Sequence, residues 1–187
     1  MRYPIGLFLF PLAISAPALA VEVVPVPQFH AVELRGGGEV QLRQGPVQRV
    51  TLLDGSTQFT SIRVEREGKL RIDACNNRCP HQYRLRILVE SPRIPRTLDV
   101  SGGGSITANS SVAEKDLTLA VSGGGVIDTR GVSADVVTAA VNGGGQINAR
   151  SRNALTAAVN GGGEVRYWGN PVVTSVIDGG GHVRPGG

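Results

Sequence analysis

At 187 residues with a formal net charge of +4, the chain has room for one ordinary domain. Its 26 glycines, with 41% hydrophobic and only 4% aromatic residues, argue against a large globular core and for thin stacked layers of Val, Ile, Leu and Ala. Residues 21–97 hold 12 Arg and Lys against 8 Asp and Glu, and residues 98–187 hold 6 against 7. A surplus this modest, with most arginines alternating with acids, disfavours a nucleic-acid partner.

The first twenty residues differ in kind from the rest. Arg2 is followed by an apolar run from Ile5 to Ile14 and by the small-residue ending Ala18-Leu19-Ala20, which reads as a secretory signal cut after Ala20. The run falls short of the roughly 18–20 apolar residues of a spanning helix, and Pro11 and Pro17 interrupt it. No later segment is apolar enough to span a bilayer, and no Cys follows the cleavage site to carry a lipid. The mature chain, residues 21–187, is expected as one exported domain in the periplasm or outside the cell.

The front half, about residues 27–97, reads as short strands: Ala31 to Leu34, Glu39 to Leu42, Val47 to Leu53, Ser61 to Glu65, Lys69 to Asp73 and Tyr83 to Val89. Asp54-Gly55 and Glu67-Gly68 are suited to tight turns. Arg63, Arg71, Arg84 and Arg86 share outward faces with Glu65, Asp73 and Glu90, so they are expected either to form cross-strand ion pairs or to meet an anionic partner. Cys75 and Cys79 are close enough to close a small disulfide loop in an oxidising compartment. Zinc held by the two thiols and His81 would lack an evident fourth ligand. Haem attachment needs a Cys-x-x-Cys-His spacing that is absent here.

From residue 98 the chain repeats. Triplets stand at Gly102-Gly103-Gly104, Gly123-Gly124-Gly125, Gly143-Gly144-Gly145, Gly161-Gly162-Gly163 and Gly179-Gly180-Gly181, with an earlier one starting at Gly36; the five late starts are 18–21 residues apart. Leu117 to Ser122, Val137 to Asn142, Leu155 to Asn160 and Val173 to Asp178 each precede a triplet, in the pattern apolar-Thr-small-Ala-Val-polar. A second short strand follows each triplet, centred on Ile106, Ile127, Ile147, Val165 and Val183. First, third and fifth positions of the longer strand share one face, as period two demands. A unit this short cannot bury its own apolar face, but units stacked about 4.8 Å apart bury all of them in one column. The expected fold is therefore all-β, a right-handed parallel β-helix (β-solenoid). Stacking places Thr118, Thr138, Thr156 and Thr174 in one outer ladder and Ser122, Asn142, Asn160 and Asp178 in another. The triplets are followed by strands and lack the Lys-Ser/Thr ending of a phosphate loop, and they lack the Asp of calcium-binding β-rolls; they read as turns.

The signal segment, Phe29 to Leu34 leading into Gly38 to Leu42, the Lys69-Leu70-Arg71-Ile72 strand and the Val-Ser/Asn-Gly-Gly-Gly-x-Ile units together resemble the auto-transporter adhesin, head GIN domain family, over about residues 27–184. The resemblance implies a right-handed parallel β-helical, extracytoplasmic domain with no catalytic motif and no cofactor. The Cys75–Cys79 loop departs from the family pattern.

Three functions compete. A non-catalytic binding or structural module at the cell envelope would recognise a glycan or a cell-surface protein along its faces. A polysaccharide lyase or glycosidase would need clustered acids or an Arg/Lys base in a groove, with paired carboxylates for hydrolysis; yet Asp128, Asn148, Arg166 and Arg184 fall in one ladder and Glu164 with His182 in another, with no two acids on adjacent rungs. A self-associating scaffold would use the unpaired edges of the end rungs. Candidate contacts are Arg63, Arg71, Arg84 and Arg86 for an acidic partner, and Tyr167 and Trp168, expected in a corner loop running to Pro171, either for stacking on sugar rings or for packing.

Overall fold

The computed structural model describes residues 21–76 and 78–187, so the expected signal segment lies outside the described residues. Those residues form fifteen strands and no helix. The front half contributes β1 (Glu22–Val24), β2 (Ala31–Gly36), β3 (Glu39–Gln44), β4 (Arg49–Asp54), β5 (Ser61–Val64), β6 (Lys69–Asp73) and β7 (Arg86–Ser91). The repeats contribute β8 (Thr97–Gly102), β9 (Ser105–Asn109), β10 (Glu114–Gly123), β11 (Val126–Gly143), β12 (Gln146–Asn160), β13 (Glu164–Trp168), β14 (Val172–Asp178) and β15 (His182–Pro185).

Two parallel ladders organise these strands into one sheet. One runs β6, β2, β8, β10, β11, β12, β14; the other runs β7, β3, β9, β11, β12, β13, β15. Because β11 and β12 are long enough to serve both, the sheet bends round and its two ladders share a single hydrophobic core. Register shifts between Thr129 and Ser133 and between Ala134 and Val136 mark where β11 turns from one ladder to the other. Antiparallel β5 on β6, and β4 with β1 on β7, finish the front end.

Period two explains the core. Leu117, Leu119 and Val121 of β10, Val137, Ala139 and Val141 of β11, and Leu155, Ala157 and Val159 of β12 are all buried, while the Thr between them is exposed. Across the other ladder Val40, Ile87, Ile106, Ile127, Ile147 and Val165 are fully buried in adjoining register. Each such side chain contributes about 1.5–3 kcal/mol when buried. Among the described residues the β14 rung pairs only with β12, and its inward positions Val173 and Ile177 are 37% and 44% exposed.

The three glycines of a triplet have three different environments, seen at 143–145. Gly143 has φ +118°, in the left-handed region. Gly144 faces open space, and a Cβ on Gly145 would meet the Val121 side chain and stand 2.7 Å from the Gly125 carbonyl oxygen. Backbones therefore approach at this corner as closely as glycine alone permits.

Several strand limits differ from expectation, three of them with a bearing on the site. β4 starts at Arg49 rather than Val47, which follows Pro46, a residue with no N–H for a ladder. β7 starts at Arg86 rather than Tyr83 because Tyr83 is tied elsewhere: its hydroxyl accepts from Ser56 N at 2.9 Å and lies 2.6 Å from Thr60 Oγ1, and its ring meets Phe59 edge-on. Tyr167 and Trp168 belong to β13 rather than to a corner loop, which shrinks to Gly169–Pro171, with Gly169 at φ +102°.

Candidate binding faces

The first outer face is carried by β8, β10, β11, β12 and β14. Register places Thr97, Thr118, Thr138, Thr156 and Thr174 in one column and Ser101, Ser122, Asn142, Asn160 and Asp178 in another. Between them run Asp99, Ala120, Ala140, Ala158 and Val176. The small side chains of that middle column leave a shallow groove of about 350 Å³ alongside the Ser122, Asn142, Asn160 and Asp178 column.

Toward β2 and β6 the same face becomes charged. Glu33, only 3% exposed, is met by Arg35 at 2.7 Å, Arg71 at 3.0 Å and Lys69 at 3.4 Å. Burial pushes its carboxyl up, but the bonds from Arg35 and Arg71 and the Lys69 charge outweigh burial and hold it below the ordinary carboxylate range. Asp99, its register neighbour, is raised by burial and by the Glu33 charge.

The four front arginines do not form one patch. Arg63 pairs with Asp73 at 2.6 Å and Arg71 with Glu65 at 2.5 Å as well as Glu33, so these two are neutralised on the β5–β6 ribbon. Arg86 on β7 reaches Glu39 at 3.8 Å, while Arg84 has no ion pair among the described residues. The partners Glu65 and Asp73 were legible from strand alternation, but Glu33 and Glu39 come from strands distant in sequence. Cys75 and Cys79 form a disulfide, so neither sulfur is a thiolate ligand beside His81.

The second outer face carries Asp128, Asn148, Arg166 and Arg184 in one column and Gln146, Glu164 and His182 in the next. Asp128 binds Arg130 at 2.6 Å; burial raises its carboxyl, and the Arg130 bonds lower it by more. Glu164 is lowered by the guanidinium groups of Arg166 and Arg184 beside it. Trp168 lies with the Arg130 guanidinium 5.2 Å from its ring centre, and its Nε1 donates to the Gly187 carbonyl at 3.1 Å. Gly186 is pressed against the same ring, with no room there for a Cβ. The indole thus packs between Arg130 and the last residues, and Tyr167 packs against the core.

These observations define an all-β protein of stacked parallel ladders whose polar side chains recur in columns on its outside. The family model described as "Putative auto-transporter adhesin, head GIN domain" matches residues 28–130 and 97–171, and the chain belongs to that family. Comparison with curated proteins gives no match. Among solved structures, a putative adhesin from Bacteroides fragilis is 15% identical, with 91% of this chain and 98% of that one covered at a TM-score of 0.55, which shows a shared fold. Putative adhesins from Parabacteroides distasonis (16% identical, 89% and 96% covered, TM-score 0.45) and Parabacteroides merdae (15%, 90% and 96%, TM-score 0.43) are more distant in shape. No helix among the described residues is long and apolar enough to cross a membrane.

Proposed function

We propose that this is a non-catalytic recognition module of the cell envelope, exported with removal of residues 1–20, whose parallel rungs wind as a right-handed β-solenoid and whose outer columns contact a glycan or a cell-surface protein. The observation that carries this reading is the repetition of Thr and Ser/Asn/Asp columns through five successive rungs. Such columns offer hydroxyls and amides at one rung spacing, a periodic surface suited to a periodic or extended partner. Family membership supports it. The front half adds Arg84, beside Arg86, as its contact for an acidic partner.

The test is retention of the 21–187 protein on immobilised glycans and surface proteins. Thr138→Lys/Thr156→Lys should lower retention on the bound class at least tenfold with an unchanged circular dichroism spectrum. Release of oligosaccharides from uronate polymers would instead place the protein among polysaccharide-active enzymes. A second reading, self-association, is favoured by one strand: β14 exposes Val172 by 75% and Val176 by 69%.

A further inference from the structure

Arg166 and Arg184 stand on consecutive rungs and share one carboxylate. Arg166 Nε lies 2.9 Å from Glu164 Oε1, and Arg184 also directs its Nε to that oxygen. Two guanidinium charges thus face one carboxylate charge, and the pairing uses Nε; among the described residues the terminal Nη groups of the two forks have no hydrogen-bond partner. The Arg166 Nε is itself buried and without a properly directed hydrogen bond, because Glu164 is near enough but off the donor axis. The two arginines line a cleft of about 210 Å³ with Trp168, Pro185, Gly186 and Gly187.

We infer that this cleft binds the acidic group of a glycan, a uronate carboxylate or a sugar sulfate, between the Nη groups of Arg166 and Arg184. An oxyanion there would balance the excess charge with the fork geometry that arginine provides. The flanking groups suit the rest of a sugar. Pro185 and Gly186, which line the cleft, offer an apolar edge to ring C–H groups. Because both arginines remain substantially exposed, at 40% and 56%, affinity is expected to be modest and salt-sensitive. This inference deepens the recognition reading and rests on it, but it uses a different face from the Thr columns and from Arg84.

Trp168 is the sole tryptophan of the chain, so intrinsic fluorescence reports on this cleft alone. The 21–187 protein is titrated with a glucuronate-containing oligosaccharide, its neutral counterpart and inorganic sulfate. A saturable emission change with the acidic oligosaccharide is expected, weakened at least tenfold in Arg184→Gln and in Arg166→Gln and unchanged in Arg66→Ala, an exposed cation elsewhere on the chain. A silent Trp168, together with no acidic-oligosaccharide binding by calorimetry, overturns the site. So does inorganic sulfate binding as tightly as the oligosaccharide, which would make this a general oxyanion site. Retention of neutral glycans by a protein whose cleft fails these titrations would sink the cleft and leave the recognition reading standing; failure on every glycan and surface protein would sink the reading itself.

Discussion

Single residues decide how closely the rungs can stack. Gly145 meets the Val121 side chain and the Gly125 backbone, whereas its neighbour Gly144 meets nothing. Gly145→Ala should therefore cost about 1–3 kcal/mol, as overpacking does, and Gly144→Ala should fall within about 0.5 kcal/mol of wild type; urea unfolding of the two variants checks the contrast. Charge at Glu33 and Asp99 is set by the same crowding. Asp99 has its carboxyl raised by burial and by Glu33, so its ionised form is disfavoured in the folded state and removing the charge should stabilise the protein at neutral pH. Glu33 is lowered, so its contribution is present above the ordinary carboxylate range near 4.5 and is lost as pH falls below it. Asp99→Asn should accordingly raise the melting temperature at pH 7 by a few degrees at most, with the gain shrinking toward pH 4. A loss of stability at pH 7 would show that Asp99 is favourably paired instead.

At the scale of strands, periodicity carried most of the information. Alternation at Leu117, Leu119 and Val121 predicts which side chains are buried because a half-buried strand has no other way to face the core, and the Gly-Gly-Gly spacing predicts the register of Ile127 on Ile106 and Ile147. Ile127→Ala should cost about 2–5 kcal/mol, since a fully buried side chain in such a stack leaves a cavity its neighbours cannot fill. What local pattern could not supply was anything set by a partner far along the chain. Tyr83 looked like a strand residue until Ser56 and Thr60 claimed its hydroxyl, and Arg71 found Glu33, 38 residues away. Of the candidate contacts, the Asp128 to Arg184 column was legible from the repeat, but the sharing of one carboxylate by Arg166 and Arg184 depends on side-chain directions that spacing does not fix. Cys75 and Cys79 were legible because a separation of 4 leaves them little choice. Their bridge closes so small a loop that Cys75→Ser/Cys79→Ser should lose no more than about 2 kcal/mol, read from the shift in the urea midpoint.

The whole molecule has two unlike ends, and this asymmetry governs how it could assemble. At the front of the ladder that ends in β14, β5 runs antiparallel to β6, so a further rung at the parallel pitch would meet a strand pointing the wrong way on that edge. At the back, β14 continues the parallel ladder and its outer edge is unpaired among the described residues, with Val173 and Ile177 part-exposed on the core side. Head-to-tail stacking into fibres is thereby disfavoured, while a two-fold pairing of β14 with β14 of a second copy is self-complementary. Centred on Ser175, that antiparallel register sets Val173 of each copy opposite Ile177 of the other and so joins the two cores. An end face of one rung is small beside the roughly 1,200 Å² of a stable interface, so the dimer should form only at high concentration. Light scattering on the 21–187 protein should rise with concentration and level at the mass of two chains, and Val173→Lys/Ile177→Lys should hold it at one. Growth past two chains would mean that the front end also pairs, and a concentration-independent monomer in both proteins would leave the last rung as an exposed edge with no partner among copies of this chain.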